Sequence, residues 1–144
     1  MQAERVLRRE KGVRMGQPAA KQGDKIVGVD THMLMVPSPA GPVPTPTPMP
    51  FSGQLDGALS NDVLIEAHAA AVKGSTASNT PAHVPTAGPF QKSPSNKGTI
   101  NTGSATVLFN DKPAARNGDT ALTCNDPGDA ANGTVVATAT VLVG

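Results

Sequence analysis

The sequence predicts an all-β protein organised as a threefold internal repeat. Three observations carry that prediction. A seven-residue segment recurs three times, short β-branched runs accompany the copies, and the 144-residue chain has almost no aromatic side chains, with no Trp, no Tyr and three Phe. Aromatic rings bring the largest burial per residue, so this core must rest on many small aliphatic contacts. Such a chain needs a highly regular β architecture or an added staple to hold it together.

The repeat reads PAAKQGD at residues 18–24, AAAVKGS at 69–75 and PAARNGD at 113–119. Its pattern is a small residue or Pro, two Ala, a longer side chain, a free position, Gly, then Asp or Ser. Asp62-Val63-Leu64-Ile65 precedes the second copy, Thr106-Val107-Leu108-Phe109 precedes the third, and Thr140-Val141-Leu142-Val143 ends the sequence. Gly53 and Leu55, Gly98 and Ile100, and Gly133 and Val135 mark a further set of matching runs. All are short and bounded by Gly, Asn or Asp, which is how strands read. Asn110-Asp111 reads as a hairpin turn, with Glu66-Ala67 in the equivalent place. The repeat Gly either takes a positive φ or admits another backbone where a Cβ would clash. The Asp or Ser after it closes a local turn onto backbone amides, and the Ala pair implies tight packing. Val107, Leu108, Phe109 and Val141 to Val143 belong to the core or to an exposed base.

Residues 37–50, PSPAGPVPTPTPMP, are too rich in Pro for a helix or a central strand. They are expected as an extended, polyproline-like loop laid against the body, with Phe51 anchoring its end. Residues 84–97 form a second loop rich in Pro, Ser and Lys.

Residues 1–14, MQAERVLRREKGVR, form a charged N-terminal arm, read as a solvated short helix or a disordered arm, or functionally as a docking tail, and residues 15–144 form the single domain. The arm lacks the apolar stretch of a secretory signal, so synthesis in the cytoplasm without a signal peptide is expected. No stretch approaches the roughly 18 to 20 apolar residues of a membrane-spanning helix. A net charge of +1 and the absence of an aromatic platform argue against a nucleic-acid partner.

The single cysteine, Cys124, excludes an internal disulfide and leaves a buried thiol, a reactive thiol or a metal ligand. Its placement relative to the histidines favours the last. His32 lies eight residues after Asp24, His83 eight after the equivalent Ser75, and Cys124 five after the equivalent Asp119. Each copy thus supplies one ligand from the segment beyond its Gly turn, and three copies around an axis would bring them to one end. A mixed His and Cys set suits structural Zn²⁺ first and iron second. His68, just after the Glu66-Ala67 turn, either closes a three-His, one-Cys site or is an ordinary polar residue. A closed site leaves no position for substrate, and no nucleophile elbow, phosphate loop or metalloprotease motif is present, so no enzyme is expected. A Cys124–His83 or Cys124–His32 pair oriented by Asp24, Asp119 or Asp126 is the enzymatic alternative.

The repeated segments resemble the PAAR-repeat family, named after its Pro-Ala-Ala-Arg motif. Pro113-Ala114-Ala115-Arg116 matches in full, Pro18-Ala19-Ala20-Lys21 with one conservative change, and Ala69-Ala70-Ala71-Val72 in degenerate form. The resemblance extends over residues 15–144. It implies a small conical β-structure with zinc near its point. It also implies a place on the blunt end of the trimeric spike of a type VI secretion system or related contractile injection particle. One chain would cap each trimer, sharpen it for puncture of the target membrane, and leave the cell with the particle. The alternative within this resemblance is a metal-stabilised adaptor that attaches effector cargo to the spike, with residues 1–14 as bait.

Overall fold

The computed structural model describes residues 16–144; the charged arm, residues 1–14, and Met15 lie outside the described residues. Within them every regular element is a strand: β1 (Gln17–Pro18), β2 (Lys25–Val36), β3 (Val43–Gly57), β4 (Leu64–Ile65), β5 (His68–Ala69), β6 (Thr76–Asn79), β7 (Lys97–Ile100), β8 (Leu108–Phe109), β9 (Lys112–Pro113), β10 (Thr120–Thr123), β11 (Ala130–Val136) and β12 (Leu142–Val143). The fold is an all-β cone.

The three copies of the repeat meet on the axis. Ala20 N donates to Ala115 O (3.0 Å), Ala115 N to Ala71 O (3.1 Å), and Ala71 N to Ala20 O (3.0 Å), closing a triangle of backbone hydrogen bonds. A second cyclic set runs from Gln22 N to Ala69 O, Lys73 N to Pro113 O and Asn117 N to Pro18 O. Both Ala of every copy are fully buried. Three backbones can approach this closely only where the side chain is a methyl group, which is why the motif demands Ala.

Above the triangle each chain segment makes a turn and enters a barrel. Gly23, Gly74 and Gly118 have φ of +92°, +99° and +91°, and a Cβ there would meet nothing within 4 Å. Conformation rather than crowding therefore fixes these glycines. The next side chain closes each turn: Asp24 Oδ2 accepts from Lys21 N (2.9 Å), Ser75 Oγ from Val72 N (3.0 Å) and Asp119 Oδ2 from Arg116 N (2.7 Å). The closed barrel then follows the order β10-β11-β2-β3-β6-β7, one antiparallel pair from each copy. Ile26, Leu55, Ala77, Ile100, Ala121 and Val135 fill it, with Phe51.

Below the triangle lie three two-stranded ribbons: β4 with β5, β8 with β9, and β12 with β1. The third joins the two ends of the described chain, Gln17 opposite Val143. Thr140–Val143 thus serves the first copy, as 62–65 and 106–109 serve the second and third. Ile65, Phe109 and Val143 pack inward with Val63 and Val107, whereas Leu64, Leu108, Val141 and Leu142 are exposed. The turns Glu66-Ala67 and Asn110-Asp111 have positive φ at both residues, the signature of a two-residue type I′ hairpin. Asn and Asp tolerate that region; Ala67, at φ +69°, does not. Ala67→Gly is expected to stabilise the protein by about 1 kcal/mol, read as a rise in thermal midpoint; an unchanged or lower midpoint would contradict it.

The proline-rich stretch corrects the sequence reading. It is not a polyproline-like loop: β3 pairs with β2 residue for residue from Val43↔Val36 to Gln54↔Lys25. Pro44, Pro46, Pro48 and Pro50 occupy alternate positions, so the side of the strand that lacks N–H groups faces away from β2. The prolines thus form the open edge of a long hairpin. Phe51 is buried where this hairpin enters the barrel.

Candidate metal centre

The far end of the barrel gathers four potential ligand groups. Asp30 and His32 are two residues apart on β2, so they point to the same inner face. Cys124 follows directly on β10, and His83 lies in the segment between β6 and β7. One ligand atom from each of Asp30, His32, His83 and Cys124 lies within 4.8 Å of the others. His83 Nε2 is 3.0 Å from Asp30 Oδ2, Cys124 Sγ is 3.4 Å from the same oxygen, and Sγ is 3.6 Å from His32 Nε2. Thr123 Oγ1 donates to the other oxygen, Asp30 Oδ1.

Further residues hold these groups in place. Asn79 Nδ2 is 3.2 Å from His83 Nδ1, and Asn96 Oδ1 accepts from His83 N (2.9 Å). Asp126 Oδ2 accepts from Met33 N (2.9 Å) and stands 3.6 Å from His32 Nδ1. Burial pushes the Cys124 thiol up to about 11, and the Asp30 carboxylate adds to the effect. Burial also lowers the His32 pKa, against the opposing pull of Asp126. A thiol so raised is the reverse of an activated nucleophile. Asp30 is fully buried and has no Lys or Arg partner among the described residues. A buried carboxylate beside a buried thiol calls for a cation. The donor set, one carboxylate, two imidazoles and one thiol, therefore fits a divalent metal.

His32, His83 and Cys124 come together here, and His68 does not. The tight Glu66-Ala67 turn places His68 opposite Ile65 in a ribbon below the triangle, exposed, with Nδ1 2.9 Å from Glu66 O. Asp30 occupies the fourth place. Sequence reasoning missed it, although a clear signal was present: Asp30 is the only charged residue between Lys25 and Asp56, and it lies two positions from His32.

A cyclic alanine triangle, a six-stranded barrel with one pair per copy and a mixed-donor cluster at the far end of the barrel define a pseudo-threefold β-cone with a candidate metal site. The family model described as PAAR motif matches residues 90–144. That stretch holds the third copy of the repeat, Pro113-Ala114-Ala115-Arg116. No curated protein matches the chain.

Proposed function

We propose that the chain caps the threefold end of a trimeric spike in a contractile injection system, one chain per trimer, with residues 15–144 acting as a single conical unit. The PAAR-motif match over residues 90–144 supports a structural rather than an enzymatic role. The observation that carries the reading here is at the base. Leu64, Leu108 and Leu142 hold equivalent positions in the three ribbons and are 63 %, 57 % and 38 % exposed. Three outward leucines about an axis suit a partner with three equal subunits, and large exposed apolar side chains mark an interaction surface.

The base is also tied together cyclically. Ser60 Oγ donates to Asn110 Oδ1, Ser104 Oγ to Gly144 O, and Thr140 N and Oγ1 to Glu66 Oε2 (2.9 and 2.8 Å). Each ribbon end is thereby held by its neighbour, which presents the three leucines as one rigid platform. At the opposite end Asp30, His32, His83 and Cys124 would hold Zn²⁺, the metal best suited to that donor set. Bound there, it would act as a structural crosslink between the three copies.

The test is to mix the purified chain with the trimeric spike protein and determine stoichiometry by native mass spectrometry. One chain per three spike subunits is expected. A variant with Leu64, Leu108 and Leu142 all replaced by Asp should lose the complex, by roughly a hundredfold or more in affinity, while keeping its metal and thermal midpoint. Binding at another ratio, or unimpaired binding by the triple variant, would refute the proposal.

A further inference from the structure

We infer that the outer face of the β2–β3 hairpin enters the interfacial layer of a lipid bilayer. This deepens the spike-tip reading, and rests on it only for how the hairpin is brought to a membrane. The register places Val29, Thr31, Met33 and Met35 of β2 beside Pro50, Pro48, Pro46 and Pro44 of β3 on one outward face. Val29 is 57 % exposed and the four prolines are exposed, and Val43, 46 % exposed, continues the apolar surface toward the turn. Between Lys25 and Asp56 the only charged residue is Asp30, which points inward and is fully buried. Ten ångströms or more of ribbon therefore present no exposed charge, at about 3.3 Å per residue.

The backbone is prepared in the same way. A segment that enters lipid cannot leave amides without partners. Three outward amides of β2 are taken: Thr31 N donates to Asn125 Oδ1 (2.7 Å), Met33 N to Asp126 Oδ2 (2.9 Å) and Met35 N to Pro89 O (2.8 Å). The outward positions of β3 have no amide to satisfy, because each is a proline. The prolines also exclude strand addition by a second copy or by an extended peptide. The absence of charge gives a soluble partner nothing to steer by. What remains is a partner that asks for apolar area and satisfied donors alone. The proline carbonyls on the open edge still need water, which sets the depth at the headgroup boundary rather than across the bilayer.

The chain contains no Trp, so a single reporter is unambiguous. Full-length Val43→Trp is mixed with phosphatidylcholine vesicles, with and without brominated acyl chains. The expected result is a blue-shifted emission quenched by the brominated lipid and unaffected by added salt. Adding Met33→Glu and Pro46→Glu to the reporter should reduce partitioning roughly tenfold or more, with metal content unchanged as proof of folding. Leu64→Trp reports on the base of the free chain. An unshifted Val43→Trp reporter, a shift confined to Leu64→Trp, or unimpaired partitioning of the Glu variant overturns the inference. So does binding that requires anionic lipid and falls with salt, which would place it on the basic residues 1–14. A self-associated chain that the Glu variant dissociates overturns it as well. Spike binding is measured separately, so a chain that docks but does not enter lipid refutes this inference and spares the docking proposal.

Discussion

His83→Ala is expected to abolish stoichiometric metal and to lower the thermal midpoint by about 15 °C. His83 is the only ligand group supplied by the long segment between β6 and β7, and its imidazole faces the buried Asp30 carboxylate. A metal binds the folded arrangement and not the open chain, so its binding free energy becomes folding free energy, about 10 kcal/mol or more at small structural zinc sites. Removing one of four ligands forfeits a share of that, roughly 4 kcal/mol, and a domain of this size shifts by about 4 °C per kcal/mol. Elemental analysis and a thermal melt on the same preparation give both readouts. His68→Ala, at the exposed base, is the control and should change neither. A His83→Ala protein that keeps one metal per chain, or that loses metal with no change in midpoint, would sink the metal assignment.

Ala115→Leu is expected to cost about 3 kcal/mol or more and to lower the midpoint by about 10 °C. Ala115 N and O both belong to the triangle that also ties Ala20 and Ala71, and all three side chains are fully buried. A larger side chain must separate backbones that hydrogen-bond at 3.0 to 3.1 Å. It therefore threatens both axial hydrogen bonds that Ala115 makes, to Ala20 and to Ala71, and with them the closure of the triangle. Because the triangle is cyclic, Ala20→Leu and Ala71→Leu should give losses of similar size. A marked inequality among the three, measured by denaturant unfolding, would show that the copies do not share the axis equally.

The threefold organisation was legible because it is written in residue types with few alternatives. Gly at positive φ, Asp or Ser behind it, and paired Ala have distinct physical reasons, and they recur together. The candidate ligands His32, His83 and Cys124 are visible through rarity. Asp30 escaped because a carboxylate is common and its burial is a tertiary fact, although period-2 alternation from His32 points to it. By number, the prolines of residues 37–50 point to a loop; by spacing, they fit a strand edge. At alternate positions on an open edge proline removes only amides that the strand does not use. His68 shared the chemistry of a ligand but sat on the wrong side of a two-residue turn. The pairing of β1 with β12 left no local signal, because Gln17 and Val143 are neighbours only after the whole ring has closed.

That ring makes the protein indivisible. Each copy gives a donor to one neighbour and receives from the other, so two copies alone would leave one row of amides and one row of carbonyls facing nothing. No fragment is a smaller working version, and partly assembled chains have no stable resting place. Assembly must wait for the most distant parts of the chain to find each other, a slow search governed by loop closure. Once the last joint shuts, opening any one joint weakens the other two, and the cone holds or fails as a whole.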